Sequence, residues 1–91
     1  MLSNAVLRVI AGVVYGRLPS ASNEAAVGFF KKAIALAPQR VAHHVELGRT
    51  YAAMGNANEA RAEIEKGLAL PSREKDDEET KKRGRDALKK L

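Results

Sequence analysis

The chain has 91 residues, no cysteine and a formal net charge of +5. That length makes one small domain, and the missing thiols exclude a disulfide framework, thiolate nucleophiles and thiolate metal sites. An aromatic content of 4% leaves few rings for stacking on bases, the net charge is ordinary for a soluble domain, and no apolar run reaches the ~18 residues that cross a bilayer.

Residues 2–18 are apolar nearly all round: Leu2, Ala5, Val6, Leu7, Val9, Ile10, Ala11, Val13, Val14, Tyr15 and Leu18, with only Arg8 and Arg17 charged. A helix is expected, although the valines would also suit a strand. A helix of this kind must be covered on more than one side. A secretory leader is the competing reading, with Val9–Tyr15 as its hydrophobic region and Ala21-Ser22 as its cleavage site. Arg8 interrupts that run, and the segment fits a repeat described below, so the expected compartment is the cytoplasm. Gly16 through Ser22, with Pro19 among small hydroxyl residues, reads as a turn. Ser22 is a good cap for a helix from Asn23 to about Ala37. That helix carries Ala26, Phe29, Phe30, Ala33, Ile34 and Leu36, and Pro38 stops it.

The stretch from Val41 to Pro71 is a helical hairpin. Leu47, Gly48, Tyr51 and Met54 share one helix face, Gly55-Asn56 breaks the helix, and Ala60, Ile64, Gly67 and Leu68 form the second face. Asn56 with Glu59, and later Asp76 with Glu79, have capping-box spacing. From Ser72 onward charge dominates. Asp77→Lys81, Glu78→Lys82 and Glu79→Arg83 are acid-before-base pairs four apart, each worth ~0.2–0.5 kcal/mol to a helix. Gly84, Ala87, Leu88 and Leu91 give that helix a narrow apolar stripe, so an amphipathic lid over the hairpin is expected.

The pattern repeats. Ala26 and Ala60 are 34 apart, as are Phe30 and Ile64, Ala33 and Gly67, and Ser22 and Asn56; Gly12–Tyr15 aligns with Gly48–Tyr51 at a spacing of 36. These residues resemble the tetratricopeptide repeat (TPR). The second unit carries the likeness best, through Leu47-Gly48, Tyr51, Gly55, Ala60, Ile64 and Gly67 with a terminal proline. It departs at His44, where the family often has tryptophan, and at Gly67, which replaces an alanine at ~1 kcal/mol in helix propensity. The first unit keeps Ala26, Phe30, Ala33 and Pro38. The resemblance implies an all-α single domain over residues 1–91: unit one at 2–38, unit two at 39–71 and a capping helix at 76–91, about five helices in antiparallel hairpins. A narrower likeness exists. Gly16 through Ala21, the alanine-rich hairpin, and Leu70-Pro71 followed by Lys75-Asp76-Asp77 look like the C-terminal part of bacterial relatives of the regulators of microtubule dynamics.

The residues offer little chemistry. His43 and His44 are neighbours, so on a helix they point ~100° apart and cannot share a metal as an i,i+4 pair can. One is expected at the hairpin interface and one in solvent. No nucleophile, phosphate-binding glycine loop or carboxylate cluster accompanies them, and the chain is expected to be neither an enzyme nor the holder of a metal or cofactor. The resemblance implies a concave groove lined by first helices: Val6, Val9, Val13 and Arg17 in unit one, and Ala42, Val45, Arg49 and Ala53 in unit two. The lysine/asparagine clamp that some repeat proteins use for acidic peptide ends does not carry over, because Val45 and Arg49 stand where it would begin. The expected function is a protein-interaction scaffold that takes a peptide or helix in this apolar groove. Residues 2–18 hold more apolar surface than one neighbour can hide, and each buried valine or leucine is worth ~1.5–3 kcal/mol. Family members carry further helices before this point; in their place a second copy is expected to cover Leu2, Val6, Val9, Ile10, Val13 and Val14, giving a homodimer. The alternative is a nucleic-acid or anionic-surface binder through Lys81, Lys82, Arg83, Arg85, Lys89 and Lys90, a run whose acid partners neutralise part of its charge.

Overall fold

The computed structural model describes residues 20–91, and all regular structure among them is helical. Four helices follow one another: α1 (Ser20–Leu36), α2 (Val41–Ala53), α3 (Ala57–Ala69) and α4 (Asp77–Lys89). The expected helix over 2–18 lies outside the described residues.

Helix α1 begins at Ser20, two residues before Ser22, which therefore sits inside the first turn and not at the cap. It stops where expected. Pro38 has no N–H to continue the ladder and disfavours helical geometry at the residue before it, and the last turn closes with the Ala37 amide donating to the Ala33 carbonyl at 2.9 Å. Helix α2 ends in a Schellman motif. Gly55 has a φ of +83°, its amide donates to Ala52 O at 3.0 Å, and the Asn56 amide reaches back to Tyr51 O at 2.9 Å.

Two expected side-chain caps do not form. Asn56 and Asp76 precede α3 and α4 but make no side-chain capping bond. Asn56 lends its amide to closing α2, and its ψ of 77° is short of extended backbone. At the start of α4 the next residue ties down the preceding loop and leaves the helix's own first turn without a side-chain cap. The Asp77 carboxylate accepts from the amides of Arg73 and Glu74, both at 2.8 Å. Of the three expected acid–base pairs on α4, Glu79–Arg83 forms at 3.8 Å, while Glu78 is taken by the Ser72 hydroxyl and Asp77 by the loop.

Helix α2 is the hub. It packs against each of the other three helices, α3 also touches α4, and among the described helices α1 touches α2 alone. The core consists of Val41, Val45, Leu47, Ala60 and Ile64. Three glycines let the backbones close in on it. A Cβ on Gly48 would collide with the Ile64 side chain and lie 2.9 Å from the Ala60 carbonyl oxygen; one on Gly67 would lie 2.8 Å from Val45 Cγ2; one on Gly84 would lie 3.1 Å from Ile64 Cγ2. Gly48 and Val45 of α2 thus face Ala60–Ile64 and Gly67 of α3 in opposite chain directions, an antiparallel hairpin. Glycine at 67, a departure from the repeat pattern, is what permits the second crossing.

Candidate interaction surface

Val45 is wholly buried between Gly67 and Gly84 and lines no open groove. This corrects the expectation that Ala42, Val45, Arg49 and Ala53 form one apolar channel. The reason is steric: glycine at 84 brings the α4 backbone down onto Val45, so the lid occupies that face. Ala42 is half-buried, and Arg49 and Ala53 are exposed. The remaining positions predicted for binding and pairing, Leu2, Val6, Val9, Ile10, Val13, Val14 and Arg17, lie outside the described residues.

Arg49 and Ala53 open onto different hollows. Arg49 lines a cleft of about 270 Å³ with Arg83, Asp86, Ala87 and Lys90, where α2 meets α4. Ala53 lines another with Asn23, Glu24 and Met54 at the junction of α1 and α2. The Arg49 cleft is cationic. Its guanidinium is held by Glu46 on its own helix at 3.1 Å. Arg83 donates to Thr80 Oγ1 at 3.3 Å, and Asp86 sits 3.8 Å from Lys82. Such exposed pairs are worth little each and exchange readily for an incoming acid.

A second surface was not singled out as such in the sequence. Phe29 is 63% exposed and Leu36 87% exposed. Seven residues apart on α1, they stand on one face, two turns from each other. The Phe29 ring meets Phe30 edge-on, with centroids 5.3 Å apart and an interplanar angle of 75°. The half-buried Ala26, Val27, Phe30, Ala33 and Ile34 define the face turned inward. The signal was in the angles: adjacent residues on a helix diverge by ~100°, so Phe29 and Phe30 cannot both point at one neighbour.

The histidines divide as interface and flank. His44 is buried, its Nε2 donating to the Pro38 carbonyl at 2.8 Å and its Nδ1 lying 3.2 Å from Glu63 Oε1. It ties the α1–α2 turn to α3. His43 is half-buried rather than free in solvent; burial, with the Arg40 charge nearby, pushes it below the ordinary histidine range. Among the described residues no three His, Cys, Asp or Glu side chains could hold a metal ion, and no described helix is long and apolar enough to cross a membrane. The described surface presents an apolar stripe on α1 and a cationic cleft between α2 and α4.

The described residues form four helices, two of them a closely crossed hairpin, with apolar side chains left outside the core. The chain belongs to the regulator of microtubule dynamics protein 1-3 family, whose model matches residues 3–91. No curated protein and no solved structure matches it.

Proposed function

We propose that this chain is a TPR-like protein-interaction module that pairs with a second copy of itself. The 34-residue register supports the repeat reading: the positions that cross in the α2–α3 hairpin, Ala60 and Ile64, have Ala26 and Phe30 as counterparts on α1. The observation that carries the pairing is the exposure of Phe29 and Leu36, on the helix that directly follows the apolar residues 2–18. Neither position has a reason in the described fold to be large and apolar. A second copy is the occupant because the same stripe, met across a two-fold axis, is complementary to itself. The family's description concerns microtubule dynamics; the proposal does not extend to microtubules, since no defined binding motif in the chain carries that association.

Sedimentation and light scattering decide it. The parent chain is expected to run as a dimer, and both Val6→Glu/Val13→Glu and Phe29→Ser/Leu36→Ser as monomers with helical content retained. A monomeric parent, or a dimer untouched by either pair, overturns the pairing.

A further inference from the structure

Arg40 shows how a guanidinium is satisfied in this protein. It gives Nε and Nη2 to the two carboxylate oxygens of Glu74, each at 2.7 Å, the two-pronged fit that matches a carboxylate in shape as well as charge. The two arginines of the cleft between α2 and α4 are held less well. Arg49 offers Nη1 alone, shared between both oxygens of Glu46 at 3.1 and 3.2 Å. Arg83 donates Nη2 to Thr80 Oγ1 at 3.3 Å, and its Nη1 stands 3.8 Å from Glu79, beyond hydrogen-bond reach. Among the described residues each of the two therefore bonds through one nitrogen of its three.

Their placement is specific. Lys90 stands seven residues after Arg83, two turns on along the same face of α4. With Arg49 from α2 these cations line one cleft around a single acid, Asp86. The other cations of α4, Lys81, Lys82, Arg85 and Lys89, lie about 100° or more around the helix from Arg83 and do not line it. The positive charge of the C-terminal run is thus divided, and only one part of it converges on a hollow. That hollow, about 270 Å³ and open to solvent, is smaller than the roughly 300–1,000 Å³ of small-molecule pockets. It has room for one or two side chains of a ligand that continues past it.

We propose that this cleft binds an acidic segment of a partner protein, Arg49 and Arg83 each taking one of two neighbouring carboxylates and Lys90 adding attraction at the edge. Charge complementarity selects the occupant. Two planar forks with nitrogens to spare suit two separate carboxylates, and an acid arriving at Arg49 displaces only an exposed pair that is itself worth little. A long polyanion fits less well, because Asp86 stands in the cleft and the remaining α4 cations lie on other sides of the helix. The inference goes beyond pairing through α1, since the cleft is built from α2 and α4.

Fluorescence anisotropy at low salt tests this on the full chain. The probe is an end-blocked, fluorescein-labelled glycine-serine octapeptide with two glutamates one residue apart, which share a side of an extended chain; its glutamine counterpart is the control. The glutamate peptide is expected to bind and the glutamine peptide not to. Arg49→Gln and Arg83→Gln should each weaken binding by about threefold to tenfold. Arg85→Gln, the same loss of charge on another side of α4, should change it by less than about twofold. Glu46→Gln, which frees Arg49, should tighten binding, while Glu65→Gln on α3 should not. Equal losses for Arg85→Gln and the two cleft variants would mean attraction by net charge alone and would overturn the site. A glutamate peptide that binds no better than its glutamine counterpart would do the same. So would a single-stranded DNA oligomer that binds more tightly than the glutamate peptide and is weakened as much by Arg85→Gln as by Arg49→Gln. Phe29→Ser/Leu36→Ser should keep the parent's affinity for the peptide, so failure of this site and failure of the pairing are distinguishable.

Discussion

At Gly48 the backbones of α2 and α3 come together over Ala60 and Ile64. Replacing a helical glycine by alanine gains up to ~1 kcal/mol in propensity, while forcing a methyl into a packed crossing costs ~1–3 kcal/mol. At Gly48 the clash wins, because one of the groups it meets is the Ala60 carbonyl, which cannot rotate away. Gly48→Ala is therefore expected to lower stability by about 1–2 kcal/mol in urea unfolding, and combined with Ile64→Ala, which removes the clashing Cγ1, it should cost less than the sum of the two single changes, a non-additive pair. Gly28→Ala is the control. Nothing lies within 4 Å of a Cβ there, so propensity alone acts and stability should rise by up to ~1 kcal/mol. The need for smallness at 48 and 60 was legible from their spacing. That at 67 was legible only as a weakness, since its cause is Val45 on another helix.

Helix ends divide into those set by local backbone and those set by remote groups. The end of α2 is local. Gly55 at φ +83° takes a conformation that costs other residues roughly 1–2 kcal/mol. Gly55→Ala should lower the unfolding free energy by that amount, read as a lower urea midpoint with the slope unchanged, and Gly55→Asn should lower it less. The start of α4 is also short-range, yet the spacing of Asp76 and Glu79 pointed to a capping box that does not form, while Asp77 bonds the loop before the helix. Four neighbouring acids, Asp76 through Glu79, satisfy several capping patterns at once. The loop path over Pro71 to Glu74, anchored by Arg40 from 34 residues away, decides which of them meets free amides.

Among the described residues, Glu74, Asp77 and His43 all make acidification destabilising. The Arg40 guanidinium holds Glu74 below its ordinary value of 4.5, and the amides of Glu74 and Arg73 hold Asp77 below 3.8. A carboxylate lowered by folding contributes stability that is present above its ordinary value and is lost as the pH falls through the lowered one. His43, a base lowered chiefly by burial from 6.5, is charged more readily in the unfolded chain, so stability also falls as the pH drops below 6.5. Urea midpoints measured from pH 8 to pH 3 should decline in two stages, the first below 6.5 and the second below 4.5. His43→Gln should remove the first and Glu74→Gln should shrink the second. A midpoint that rises on acidification would contradict both assignments.

The helical class of the described residues, the hairpin at 41–69, its glycine turn and the proline stop after α1 were all written in the sequence. Each depends on residues within one or two turns of one another: a helical period, a left-handed glycine, a missing amide. Three things were decided only by tertiary structure. Val45 went from groove to core because Gly84, 39 positions on, lets α4 lie against it; Phe29 and Leu36 were left outside because among the described helices α1 has α2 as its one neighbour; and Asp77, not Asp76, took the loop amides because Arg40 holds Glu74 in that loop. Periodicity states which face of a helix is apolar, but what covers that face depends on how closely a distant backbone can approach.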